Sequence, residues 1–206
     1  MRTRTPRLAA DVRRQQILDA TLRVVARDGF SGLTMEVIAK EAGVTRTPLY
    51  AIFGDLGTLL AAAADEGEAR ARAAIPEELL VADLGTARPD DVLTAASRLF
   101  LEAVRADPLT WQVLLLPAAG TPKEIRRRYE RNRREVIDRV EQLVRWGLER
   151  VGPPDGADPH VIARMIVAVG EDLGRMVLAE PDRWPPDRIA AAVGDVVALL
   201  PAEERA

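Results

Sequence analysis

Residues 33–53 read LTMEVIAKEAGVTRTPLYAIF, and their spacing decides how the whole chain is read. Thr34 stands where a helix N-cap belongs, because its hydroxyl can accept from a backbone N–H that the first turn leaves without a helical partner. Met35, Ile38, Ala39 and Ala42 then share one face at helical spacing. Gly43 follows, suited to the left-handed residue that ends a helix. Val44 is expected as a buried staple beyond the turn. Thr45 is placed to cap a second helix, with Arg46 and Thr47 in its first turn. Pro48 falls at about the third helical position, where a missing N–H breaks no internal bond. With that donor gone, the Thr45 hydroxyl is expected to take the N–H of Thr47. Leu49, Ile52 and Phe53 are expected to face inward, which leaves Arg46, Thr47 and Tyr50 facing out.

Two short helices joined by a tight glycine turn form the pattern of a helix-turn-helix, whose second helix enters a DNA major groove. The segment before it fits. Ile17, Ala20, Val24 and Val25 make an apolar stripe on a helix expected over Ala10–Arg27 and ended by Asp28-Gly29. The stretch ILDATLRVVARDGFSGLTMEVIAKEAGVTRTPLYAIFGDLGTLLAAA as a whole resembles the DNA-binding domain of the tetracycline-repressor (TetR) family, and the match runs without a gap from about Ile17 to Leu60. Three parts carry the resemblance. They are the G-F…L-T…I-A…A-G-V block, the L-Y-x-x-F at Leu49–Phe53, and the leucine pair Leu59-Leu60.

The resemblance implies that Arg46 and Thr47 reach base edges or nearby phosphates, while Tyr50 and Thr34 position the domain on the backbone. Thr45 and Pro48, which shape the same helix start, complete the expected DNA-facing set. Two positions depart from the family pattern. Ile52 stands where relatives usually carry His or Tyr, and Leu56 where they usually carry a phosphate-contacting Lys. Gly57 also weakens the start of the next helix. Arg2, Arg4 and Arg7, with the pair Arg13-Arg14, are candidate substitutes for the missing backbone contacts.

The net charge of −3 is unevenly spread. Residues 1–53 carry nine Lys+Arg and five Asp+Glu, whereas residues 54–206 carry 20 and 27. A basic head on an acidic body suits local phosphate binding. The chain of 206 residues has no cysteine, so neither disulfides nor thiolate metal sites are open to it. It has no run of 18 apolar residues, and its start lacks the apolar core of a signal peptide. A cytoplasmic location is expected.

Beyond the head the chain reads as all-α, about nine helices with no period-two strands. A connecting helix is expected over Asp55–Leu79, then a loop at 84–89 and a helix over Asp90–Arg105 that turns Val92, Leu93, Ala96, Leu99, Phe100 and Ala103 inward. Asp107-Pro108 opens a short helix holding Trp111 and Leu114 to Leu116, broken at 117–120. Thr121-Pro122-Lys123-Glu124 reads as a capping box, with proline first in a helix to Arg150. After a loop at 152–156, Asp158-Pro159 caps a helix to Ala179, and Trp184-Pro185-Pro186-Asp187 starts the last, to Leu200. The domains expected are 1–56, DNA-binding, and 57–206, effector-binding and dimerising. The arginine-rich run 126–134 is interleaved with acids and reads as a solvated helix face.

The last two helices are apolar around more than half their circumference, which asks for cover on both faces. A second copy of the chain supplies that cover most simply, and Gly170 and Gly174 would allow close approach. The resemblance implies the same, since TetR-like proteins dimerise through their last two long helices.

No catalytic constellation is present. The single histidine, His160, reads as a surface residue, and no HExxH, GxSxG, phosphate-binding loop or dinucleotide fingerprint occurs. No enzyme activity, cofactor or metal is expected. A ligand pocket is expected instead along the helix that carries Ile125, Tyr129, Asn132, Val136, Val140, Leu143 and Gly147. Asn132 puts a polar group on that apolar face, Asp172 lies between Val169 and Met176 on the next helix, and Phe100 and Trp111 add aromatic wall. The resemblance implies a small effector bound among these middle helices, with a lean toward an apolar or aromatic compound. The expected function is a ligand-responsive, homodimeric transcriptional regulator, a repressor that binds a palindromic double-stranded operator and is released by its effector. The rival readings are a constitutive helical DNA-binding protein without effector, and an all-helical enzyme or carrier with a helix-turn-helix-like hairpin.

Overall fold

The computed structural model describes residues 5–75, 87–116, 120–152 and 156–198. Among them are nine helices and no strand, so the fold is all-α: α1 (Thr5–Asp28), α2 (Met35–Glu41), α3 (Arg46–Phe53), α4 (Leu56–Ala74), α5 (Pro89–Ala106), α6 (Pro108–Leu115), α7 (Lys123–Val151), α8 (Pro159–Ala179) and α9 (Pro186–Ala198). Arg2 and Arg4, the helix ends expected at Leu79 and Leu200, and most of the loops expected at 84–89, 117–120 and 152–156 lie outside the described residues, as does the side chain of Arg7. Two compact units form, Met1–Ala71 with Leu109–Arg128, and Arg72–Pro108 with Tyr129–Ala206. The unit that contains the helix-turn-helix is therefore larger than the 1–56 segment set off by sequence.

In the first unit, α1 begins at Thr5 rather than Ala10, because Pro6 falls in the first turn, where a missing N–H costs nothing. Ile17, Leu18, Ala20, Thr21, Leu22, Val24 and Val25 are buried along it. Thr21 keeps its hydroxyl satisfied by donating to the Ile17 carbonyl at 2.8 Å. Ile38, Leu49 and Leu59 complete the core and are wholly buried. Each such side chain contributes about 1.5–3 kcal/mol on leaving water. Gln16 on α1 donates to the carbonyl of Ala42 at 2.8 Å, which satisfies the C-terminal end of α2. Arg23 and Arg27 of α1 both reach Glu41, at 2.9 and 3.0 Å, and hold its carboxyl below the usual range. Gly120 belongs to this unit too. Its φ of 74° favours glycine, and a Cβ there would stand 2.6 Å from the Ser31 hydroxyl.

The arginine run at the start of α7 departs from a purely solvated face. Arg128 forks onto Glu68 of α4, at 2.7 and 2.8 Å, and also bonds Asp65. Arg133 pairs with Glu171 at 2.6 Å. Arg126, Arg127, Arg131 and Arg134 do face solvent. The helix itself starts at Lys123, with the Pro122 carbonyl accepting from Arg126 at 2.9 Å, so the proline precedes the first helical residue.

In the second unit α5 packs against α8 and α9. Its buried residues are Leu101, Ala103 and Val104, so the core-facing stripe is rotated from the one expected through Leu99 and Phe100, which are half-buried. A similar rotation applies to α7. Ile137 joins Ala163 and Val167 in a core cluster with Val140 and Val144, while Val136, expected inward, is exposed. Asp158 caps α8 as expected, accepting from the N–H groups of His160 and Val161. His160 lies at the surface, its Nδ1 2.7 Å from Glu141.

Candidate nucleic-acid interface

Residues 34–53 form two helices at the expected places. The Thr34 hydroxyl accepts from the Val37 N–H at 3.2 Å, which fixes the start of α2. Gly43 takes φ 65°, the left-handed turn that only a residue without Cβ adopts freely. Its N–H donates to the Lys40 carbonyl and that of Val44 to Ala39, closing the last turn of α2. Val44, expected as a buried staple, is only half-buried. Thr45 has the extended backbone of an N-cap, at φ −76° and ψ 166°, but makes no side-chain cap hydrogen bond. The expected bond to the Thr47 N–H is therefore absent. Pro48 stands third in α3 and removes the other donor within reach of such a cap.

Leu49 and Phe53 anchor α3 to the core. Arg46, Thr47 and Tyr50 are exposed, as is Thr34, so the four residues expected to reach DNA all face out. Thr45 is exposed and Pro48 half-buried. Ile52 faces solvent at 36% exposure instead of packing inward. That outward position matches one where the related pattern carries a polar His or Tyr. Arg14 of α1 lies 5.7 Å from the Phe53 ring centroid, which brings one of the candidate substitute arginines to the end of α3.

Two residues that sequence reasoning did not single out belong to this surface. Glu36, in the first turn of α2, is 2.5 Å from the Arg46 guanidinium. Asp55 starts α4 by accepting from the Thr58 N–H at 2.7 Å, which holds its carboxyl below the usual range and compensates for Gly57. The signal for Asp55 was legible, an Asp three residues before the capped N–H. The cross-helix pair of Glu36 was not, since it depends on how α2 and α3 cross. Thr34, Met35, Glu36, Arg46, Tyr50, Asp55 and Leu56 together line an open concavity of about 370 Å³.

The residues expected around a ligand are placed less uniformly. Phe100, Tyr129 and Asn132 are half-buried in the second unit, while Trp111 is buried in the first. Asp172 does not point inward as expected. Its side chain is 69% exposed and pairs with Arg175 at 3.3 Å, because the face of α8 that it shares with Met165 and Val169 is open.

Residues 17–63 match the model of the bacterial regulatory proteins of the TetR family. That segment of the chain is thus a TetR-type DNA-binding domain. Solved structures of TetR-type regulators resemble it over nearly its whole length. The fatty acid degradation regulator FadR from Bacillus halodurans is 17% identical, covers 97% of this chain and 98% of its own, and superposes with a TM-score of 0.72. A putative TetR-family transcriptional regulator from Rhodococcus sp. is 25% identical over 90% of this chain and 98% of its own, with a TM-score of 0.68. AibR, solved with isovaleryl coenzyme A and operator DNA, is 20% identical over 89% and 97%, with a TM-score of 0.70. No curated protein matches the chain in sequence. In TetR-family terms, α2 and α3 are the helix-turn-helix and α3 its recognition helix. Among the described residues no single helix is long and apolar enough to cross a membrane.

Proposed function

We propose that this chain is a cytoplasmic, homodimeric repressor of the TetR family that binds a near-palindromic operator and is released by a small-molecule effector. The observation that carries the DNA reading is the outward set on α3, Arg46, Thr47 and Tyr50, held by Leu49 and Phe53 beneath. Arg46 and Thr47 stand at the start of the recognition helix, where side chains meet base edges in this kind of docking. Thr34 and Tyr50 flank them and position the backbone. Thr45 and Pro48 shape the helix start.

Dimerisation is supported by the open face of the last two helices. Val161, Met165 and Val169 on α8 and Val196 on α9 are 50–63% exposed. Apolar side chains repeating every four residues make a stripe of the sort that a second copy covers. Val193 and Val197, by contrast, are half-buried within the chain.

Effector binding is supported by relatives such as AibR, whose structure holds isovaleryl coenzyme A beside operator DNA. In this chain the wall would come from Phe100, Tyr129 and Asn132 of the second unit. Asp172 is a poorer candidate, being exposed and paired with Arg175. The effector would shift the dimer away from its DNA-binding state by the difference between its affinities for the two states.

Selection of duplexes from a random pool by the purified chain tests the central claim. Enrichment of a two-fold symmetric site is the expected result. Recovery of no sequence above background would remove the reading.

A further inference from the structure

Arg46, the exposed cation of the recognition helix, is not free in the unbound chain. Its guanidinium is 2.5 Å from a carboxylate oxygen of Glu36, across the turn from α2 to α3. Both side chains are open to solvent, 59% and 69% exposed, so neither burial nor packing enforces the pair. Arg46 is the first residue of α3, where the helix dipole disfavours a cation, so a carboxylate from the neighbouring helix supplies what its own helix cannot. The two residues line one concavity with Thr34, Tyr50 and Asp55. On this face, then, one arginine shares a concavity with two carboxylates, one of which it pairs with.

We infer that Glu36 is a specificity-determining residue of the DNA interface, acting through Arg46 to suppress sequence-independent binding. This rests on the reading of α3 as the DNA-reading helix. On an arbitrary duplex a phosphate that reaches Arg46 meets a cation already neutralised by Glu36. The carboxylate then stands against the phosphate backbone, and the gain from counterion release is largely offset. On the operator the outcome differs. A guanidinium that donates two N–H groups to a guanine edge keeps further N–H groups for a carboxylate behind it. Glu36 then orients the planar fork toward the base instead of competing with it. Specificity of this kind comes from penalising the wrong partner as much as from favouring the right one.

The test uses the full chain and the duplex selected by the wild type. Affinities of wild type and Glu36→Gln are measured by fluorescence anisotropy on that duplex and on a scrambled one, over a salt series. Glutamine keeps the shape and removes the charge. The expected result is scrambled-duplex affinity raised about 3- to 10-fold, with a log–log salt slope steeper by about one. Operator affinity should rise less, so the ratio of the two affinities falls. In an Arg46→Ala background the same replacement should leave that ratio unchanged. Unaltered melting shows that the variant is folded, and a purely structural role would move neither slope nor ratio. An unchanged ratio and slope in Glu36→Gln would overturn the inference while leaving DNA reading intact. A ratio that falls equally without Arg46 would overturn the route through Arg46. Failure of the wild type to select any duplex would remove the underlying reading, a result distinguishable from both.

Discussion

Replacing Met165 by Glu should convert the proposed dimer to monomers without unfolding the chain. Met165 lies at the centre of the open stripe on α8 and is 63% exposed. Fully burying a methionine is worth about 1.5–3 kcal/mol, so covering the exposed part yields about 1–2 kcal/mol in each copy. A two-fold interface contains each residue twice, which makes the loss about 2–4 kcal/mol per dimer. At 1.4 kcal/mol per factor of ten, the dissociation constant should rise ~30-fold to ~700-fold before the new charge is counted. Two carboxylates in an apolar seam raise it further. Glutamate is a good helix former and the site is solvent-facing within one chain, so helix content should not change. Sedimentation velocity over a concentration series, with circular dichroism on the same samples, measures both quantities. Val193→Asp is the contrasting variant, because Val193 is already half-buried in its own chain. It should lower the melting temperature rather than only dissociate the dimer. A Met165→Glu protein that dimerises as tightly as wild type would refute the placement of the interface.

Arg46→Ala should weaken operator binding by about 1–3 kcal/mol if the side chain reads a base. An equal loss on all duplexes would make it a phosphate contact only. Thr34→Ala removes the cap that accepts from Val37, and should cost about 1 kcal/mol of stability by denaturant titration. A midpoint unchanged by that variant would mean water replaces the cap fully. Deleting residues 2–4 removes two arginines ahead of α1 and should flatten the log–log salt slope by up to about two. An unaltered slope would exclude the arm from the interface. Stability should fall on acidification. Glu41 is lowered by Arg23 and Arg27, Glu141 by His160 and Arg145, and Asp55 by Thr58. Carboxyls depressed in the folded state stabilise above their unfolded values, near 4, and lose that contribution as the pH drops through their folded ones. Melting temperatures that stay level from neutral pH to below 4 would contradict this.

The helix-turn-helix was legible because local rules decide it. Thr34 caps, Gly43 turns and Leu49 anchors within a stretch short enough for spacing alone to fix the outcome. Facing was harder. Ile52 looked like core because it is apolar, yet it stands outside the arc that Leu49 and Phe53 bury. On α7 the choice between Val136 and Ile137 as the core residue depends on which helix lies opposite, and periodicity cannot say. Asp172 misled for the same reason. A polar residue flanked by apolar ones marks an interior site only if that face is covered, and within one chain it is not. Pairs such as Arg128 with Glu68, 60 positions apart, are invisible to any local rule.

The electrostatics of the head fit together once Glu36 and Asp55 are counted. The related pattern carries a phosphate-binding lysine where this chain has Leu56, and Leu56 lies in the same concavity as the two carboxylates. That concavity thus holds an apolar residue in place of the pattern's cation, and one arginine with two carboxylates. On the proposed reading such a surface gains little from phosphates in general, and affinity would come more from α3 contacts that depend on sequence, and from cations outside the concavity. Arg14, beside Phe53 at the far end of α3, is placed to supply one of these. The overall excess of positive charge in residues 1–53 is therefore a poor guide to where the phosphates are met. A regulator built this way exchanges non-specific hold on DNA for discrimination, and it should lose its operator sharply when any one of the α3 contacts is withdrawn.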